Sequence, residues 1–183
     1  FTTLTASSNL SIDGGTIKLD GNYPIGTGNV ALGDTALDSV AADGNYNTAI
    51  GRNALTATTT GDLNTGLGNK ALAANTTGTS NVALGANALQ AATTADNNTA
   101  VGSQSLMATT GANNTAVGGN ALTANTTGDA NIAIGANALD ANTTGVTNVA
   151  VGKGTLGANT TASGNTAIGH AALEANSTGA SNT

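Results

Sequence analysis

Asn-Ile-Ala-Ile-Gly-Ala-Asn-Ala-Leu-Asp-Ala-Asn-Thr-Thr-Gly-Val-Thr, residues Asn131 to Thr147, is one copy of a unit that fills most of the chain. The unit begins at Asn29, Asn47, Asn64, Asn81, Asn98, Asn114, Asn131, Asn148 and Asn165, and once more at Asn182. Most copies have 17 residues; the first has 18 and the copy from Asn98 has 16. Self-similarity at one short period points to a solenoid or a fibre.

Counting columns from each Asn exposes the pattern. Column 1 is always Asn, and column 2 is always β-branched, from Val30 to Thr166. Column 3 is Ala except at Gly66, and column 4 is aliphatic, from Leu32 to Ile168. Column 5 is always Gly: Gly33, Gly51, Gly68, Gly85, Gly102, Gly118, Gly135, Gly152 and Gly169. Column 9 is always Leu: Leu37, Leu55, Leu72, Leu89, Leu106, Leu122, Leu139, Leu156 and Leu173. Columns 12 to 15 tend to Asn-Thr-Thr-Gly.

A helix fits badly. Gly in every copy would weaken it by about 1 kcal/mol each. The β-branched residues suit a pleated strand. The pattern predicts a strand at columns 2–4, a turn at Gly, a second strand around columns 8–11, and a turn at Asn-Thr-Thr-Gly. Each unit is then one flattened coil. Coils stacked about 4.8 Å apart give a rod on the order of 45 Å long. Stacking lays Asn47, Asn64, Asn81, Asn98, Asn114, Asn131, Asn148 and Asn165 over one another as an amide ladder, each donating to the next coil and accepting from the previous one. The Leu column becomes an apolar spine.

Composition agrees with an ordered repeat. The chain has 183 residues, a formal charge of -6, and only 8% charged residues. A disordered chain of this polarity would use Lys, Glu, Pro and Ser; this one uses Ala, Gly, Asn and Thr, with one Pro. There is no Cys, hence no disulfide and no thiolate metal site. No apolar run approaches the ~18–20 residues of a membrane span, so no membrane insertion is expected. Four basic residues, Lys18, Arg52, Lys70 and Lys153, do not make the stripe that nucleic acid requires. The first 28 residues stand outside the repeat. Leu4, Leu10, Ile12, Ile17 and Leu19, with a turn at Asp13-Gly14-Gly15, read as a hairpin-like adaptor or cap. The array, 29–183, reads as part of a longer polypeptide that continues beyond the last residue.

Alternation sets a puzzle. Neighbours in a strand point to opposite faces, yet columns 3 and 4 are both apolar, and so are columns 8 and 9 in most copies. If column 4 and the Leu column fill the inside, a strip of Ala faces outward. Two large aliphatic residues per coil supply about 3–6 kcal/mol against an ordering cost of ~1–2 kcal/mol for each residue. Burial between parallel, in-register chains is the expected source of the remainder.

Asn-Thr-Ala-Ile-Gly (47–51 and 165–169) and Asn-Thr-Ala-Val-Gly (98–102 and 114–118) resemble the Ser-Val-Ala-Ile-Gly core of the YadA-like head repeat in trimeric autotransporter adhesins. Related Asn-Thr-Ala-Ile-Gly arrays with a following Ala-Leu are similar to parts of phage tail fibres, and the lead-in from Leu10 to Gly33 has more of the phage character. The resemblance covers residues 29 to 183. It implies an all-β protein, a parallel β-roll or β-helix solenoid whose chains assemble as a homotrimeric fibre. It also implies an extracellular place, on a virion or a bacterial surface. The function it implies is host attachment, with a glycan or protein receptor engaged by turns or by a distal tip. The family repeat is nearer 14 to 16 residues, so the 17-residue coil implies either a variant roll or a triangular helix.

No residue stands out as catalytic, cofactor-binding or metal-ligating. His170, the only His, occupies the variable column 6 and reads as a surface residue. Asp38, Asp140 and Glu174 share column 10, and Asp62 and Asp129 share column 16, as a solvated ridge rather than an acid/base pair. The Gly residues follow no phosphate-loop or dinucleotide pattern. Thr-Thr pairs such as Thr126-Thr127 are consecutive, whereas an ice-binding array needs alternate residues on one face.

Overall fold

A computed structural model describes residues 25–183. The expected hairpin-like cap at 1–28 therefore lies, but for its last four residues, outside the described residues. The rest is a parallel β-solenoid with one three-residue strand per coil and, among the described residues, no helix. The strands are β1 (Val30–Leu32), β2 (Thr48–Ile50), β3 (Thr65–Leu67), β4 (Val82–Leu84), β5 (Thr99–Val101), β6 (Thr115–Val117), β7 (Ile132–Ile134), β8 (Val149–Val151) and β9 (Thr166–Ile168). They form one parallel sheet in sequence order. Like columns pair throughout: Thr65 with Val82, Gly66 with Ala83, Leu67 with Leu84. The 18- and 16-residue copies keep this register. Their extra and missing residues fall at the corner between columns 12 and 15, where a turn absorbs them.

The second strand expected at columns 8–11 is absent; those residues form turns. All nine column-9 Leu residues have left-handed backbone, φ 48 to 55. That conformation costs about 1–2 kcal/mol for a residue with a side chain. Burying a whole Leu returns about 1.5–3 kcal/mol, and Leu37 through Leu156 are fully buried. The left-handed step also resolves the puzzle of adjacent apolar columns. An extended chain would send column 8 and column 9 to opposite faces; the turn aims both inward. Ala54 and Leu55, Ala71 and Leu72, Ala138 and Leu139 are all buried side by side.

The strand is oriented opposite to the expectation. Column 3 Ala points inside and columns 2 and 4 point outside, as in β4 and β7, where a buried Ala sits between exposed neighbours. The interior is narrow. With Leu already projecting into it from the far side, only a methyl fits beneath the strand. The outward strip is therefore made of large aliphatic residues rather than Ala.

The Asn column is wholly interior: Asn47 through Asn165 show no exposure. Asn64 illustrates the pattern. Its backbone N–H donates to Asn47 Oδ1 at 2.9 Å, and its Nδ2 donates to the same oxygen at 3.1 Å. The ladder thus donates toward the preceding coil, the reverse of the expected sense. Nδ2 also donates to the Gly78 carbonyl of its own coil at 2.8 Å, tying the coil's start to its end. Column 12, which the sequence assigned only to a turn, supplies a second interior file. Asn142 Nδ2 donates to Asn125 Oδ1 at 2.9 Å, and Asn159 Nδ2 to Asn142 Oδ1 at 3.1 Å. The two files converge on one carbonyl where both are paired: Asn114 and Asn125 both donate to Gly128 O at 2.9 Å, and Asn131 and Asn142 to Gly145 O at 2.8 and 3.1 Å.

The column-5 glycines are required for two reasons. Gly118 has φ 135, and a Cβ there would lie 2.6 Å from the Gly135 carbonyl of the next coil. Both faults exclude any larger residue.

The second ladder has a gap. Asn75 Oδ1 is buried without a partner, because the next coil carries Ala92 at that column. Ala92→Asn is expected to stabilise the chain by about 0.5–1.5 kcal/mol through the restored bond. Asn159 precedes Ala162 in the same way that residue 92 precedes Ala95, so the coil accommodates the change. The denaturant midpoint checks it, and a fall in midpoint would refute it.

Candidate interaction face

Columns 2 and 4 of the nine coils form one outward face. It holds thirteen aliphatic residues, five Thr and no charge. Leu67, Leu84 and Ile134 are 41–42% exposed, and Leu32 reaches 61%. Eight inter-strand steps make the face about 38 Å long, and three strand residues make it about 10 Å wide. That is roughly 400 Å² in projection, as large as the apolar patches of soluble monomers become. The face is rigid because every strand in it is paired and because the Ala between each two exposed residues is locked against the Leu file.

Two edges border this face. Columns 16 and 17 precede each strand, and columns 6 and 7 follow it. On the first edge Asp62 Oδ1 accepts the Asn45 amide at 2.6 Å, Asp96 Oδ1 the Thr79 amide at 2.7 Å, and Asp129 Oδ1 the Ala112 amide at 2.7 Å. Ser163 Oγ does the same for the Val146 amide at 3.0 Å. Asp62 and Asp129, which read as part of a solvated ridge, are thus staples between coils, and Asp96 joins them. From Asp62 onward they occupy alternate coils, with Thr79, Ala112 and Val146 between them. Like charges directly opposite across a ladder are destabilising, and alternation avoids that contact.

The Thr hydroxyls at column 13 are also committed to the stack. Thr76 Oγ1 donates to Thr93 O at 3.0 Å, and Thr126 Oγ1 to Thr143 O at 2.9 Å.

Along the edge that follows the strand, from column 6 to column 11, lies a concavity of about 450 Å³. Asp140, Lys153, His170 and Glu174 stand around it, over Gly154 and Gly157. Its origin is local: coil 148–164 has Gly at columns 7 and 10, where its two neighbours carry Asn137, Ala171, Asp140 and Glu174. The column pattern contained the signal, since Asp140 and Glu174 share column 10 with Gly157 between them. Spacing along the chain hid it, because the two carboxylates are two coils apart. His170 is exposed there, as expected. No group of three or more potential metal ligands occurs among the described residues, and no helix among them is long and apolar enough to cross a membrane.

Asp140 is partly buried, and that desolvation raises its pKa above the usual aspartate value, against the opposing pull of the Asp140 and Ala141 backbone. A carboxyl whose folded pKa is raised destabilises the fold once pH exceeds its unfolded pKa, and has no effect when protonated in both states. Asp140→Asn is therefore expected to raise the unfolding midpoint slightly at pH 7. The gain should vanish below about pH 3, under the ordinary aspartate range. A gain of equal size at both pH values would show that burial of the charge is not its cause.

Comparison with family models, with curated proteins and with solved structures gives no match to this chain.

Proposed function

We propose that the array is a shaft segment of a homotrimeric surface fibre, of the kind found in phage tail fibres, whose task in host attachment is mechanical extension. The observation that carries this reading is the uncharged aliphatic face of columns 2 and 4. Three parallel chains turning this face to a common axis would remove it from water along its whole length. Each chain would also gain burial that its own narrow interior lacks. A regular stack joined by backbone and amide bonds at every coil resists bending and stretching, which is what a shaft must do. Receptor contact then belongs to turns on the outer side or to a distal tip.

The likeness of Asn-Thr-Ala-Ile-Gly at 47–51 and 165–169 to the YadA-like head repeat supports the same assembly. It also supports a second reading, the head of a bacterial trimeric surface adhesin. Both place the protein outside the cell.

The mass of the folded chain in solution tests the assembly. Three chains of 17.3 kDa give roughly 52 kDa. A sedimentation mass of one chain would overturn the reading. Val101→Asp, on the central strand of the face, provides the companion expectation: a shift from trimer toward monomer.

A further inference from the structure

The charges bordering the strand face are sorted from the second coil onward, Asp34 at column 6 of the first coil being the exception. The three cations of the array, Arg52, Lys70 and Lys153, all lie on the edge that follows the strand, at columns 6 and 7. The edge that precedes the strand carries Asp62, Asp96 and Asp129 at column 16 and no cation. The face between the edges carries no charge at all. We infer that this is an interface between copies of the chain with a fixed direction, in which the Asp edge of one chain meets the Lys edge of the next. The inference rests on the proposed trimer and adds to it the residues that set orientation and register.

Geometry selects the arrangement. Rotation about an axis parallel to the rod, as in a cyclic trimer, keeps chains parallel and brings opposite edges together at equal height. A two-fold axis lying across the rod would set the chains antiparallel. For chains packed face to face it would bring like edges together, Asp against Asp. Only the parallel arrangement is electrostatically complementary.

Equal height identifies the partners. Asp62 lies three residues before β3 and Lys70 three residues after it. In one chain they sit on opposite sides of the face; between neighbours related by a parallel axis they meet. Asp96 and Gln104 flank β5 in the same way, and Asp129 and Asn137 flank β7. Each Asp thus faces a side chain that can donate. Chemistry permits the double role: Asp62 Oδ1 is engaged by the Asn45 amide of its own chain, and a carboxylate has a second oxygen for a partner.

Treatment of the folded chain with a water-soluble carbodiimide, which condenses a carboxylate with an adjacent amine, tests the pairing. The expected result is covalent dimers and trimers on a denaturing gel, with a linked Asp62–Lys70 peptide by mass spectrometry. Lys70→Asn should abolish that peptide and leave the solution mass trimeric, because Asn already occupies column 7 in Asn53, Asn87, Asn120 and Asn137. A trimer that yields no Asp62–Lys70 peptide would overturn the pairing while leaving the trimer intact. A single-chain mass would overturn both.

Discussion

The buried amide of the first column is the constraint on which the remaining structure depends. One Asn side chain closes its own coil through a carbonyl fourteen residues on, as Asn131 does with Gly145 at 2.8 Å. The same residue holds the preceding coil: the Asn131 backbone N–H and Nδ2 donate to Asn114 Oδ1 at 2.9 and 3.2 Å. A buried polar group left unpaired costs about 1–3 kcal/mol, so the ladder fixes register as well as spacing. A slip by one residue would orphan every amide at once. The corners can then gain or lose a residue, as in the first and fifth coils, without moving the strands.

The interior that this ladder leaves is small, and its size decides which way the strand faces. Leu enters from one side in left-handed backbone and only Ala fits opposite. The large β-branched and aliphatic residues of columns 2 and 4 are displaced outward, where the strand geometry suits them. An apolar outer face is thus a consequence of a core too thin to hold more than one rank of large side chains. The proposed fibre follows from that displacement, since sister chains are the chemistry best matched to a long, uncharged, straight strip.

Periodicity alone made the solenoid, the strand at columns 2–4, the Gly turn, the Asn ladder and the Leu file legible before any coordinates. What it concealed was direction. Alternation is a rule for extended chain, and applied to columns 8 and 9 it predicted a second strand with one residue out. The nine Leu residues at positive φ break that rule, and nothing in the identity of Leu announces a left-handed backbone. The signal available was indirect: column 7 is Asn in Asn53, Asn87, Asn120 and Asn137 and Gly at Gly154, residue types that tolerate positive φ. The second amide file was hidden because Asn75, Asn125, Asn142 and Asn159 sit in a string of turn formers. The concavity over Gly154 and Gly157 was hidden because its walls come from three different coils.

The stability of Asn114→Ala, set beside Thr115→Ala, addresses the ladder most directly. Asn114 Oδ1 accepts from the Asn131 backbone, and Asn114 Nδ2 donates to Gly128 O. Thr115 is the next residue and points outward on β6. A loss of about 2–4 kcal/mol at position 114, well beyond that at 115, is the expected result, since one buried N–H is orphaned and a closing bond is removed. Equal and small losses at the two positions would contradict an interior organised by its amides.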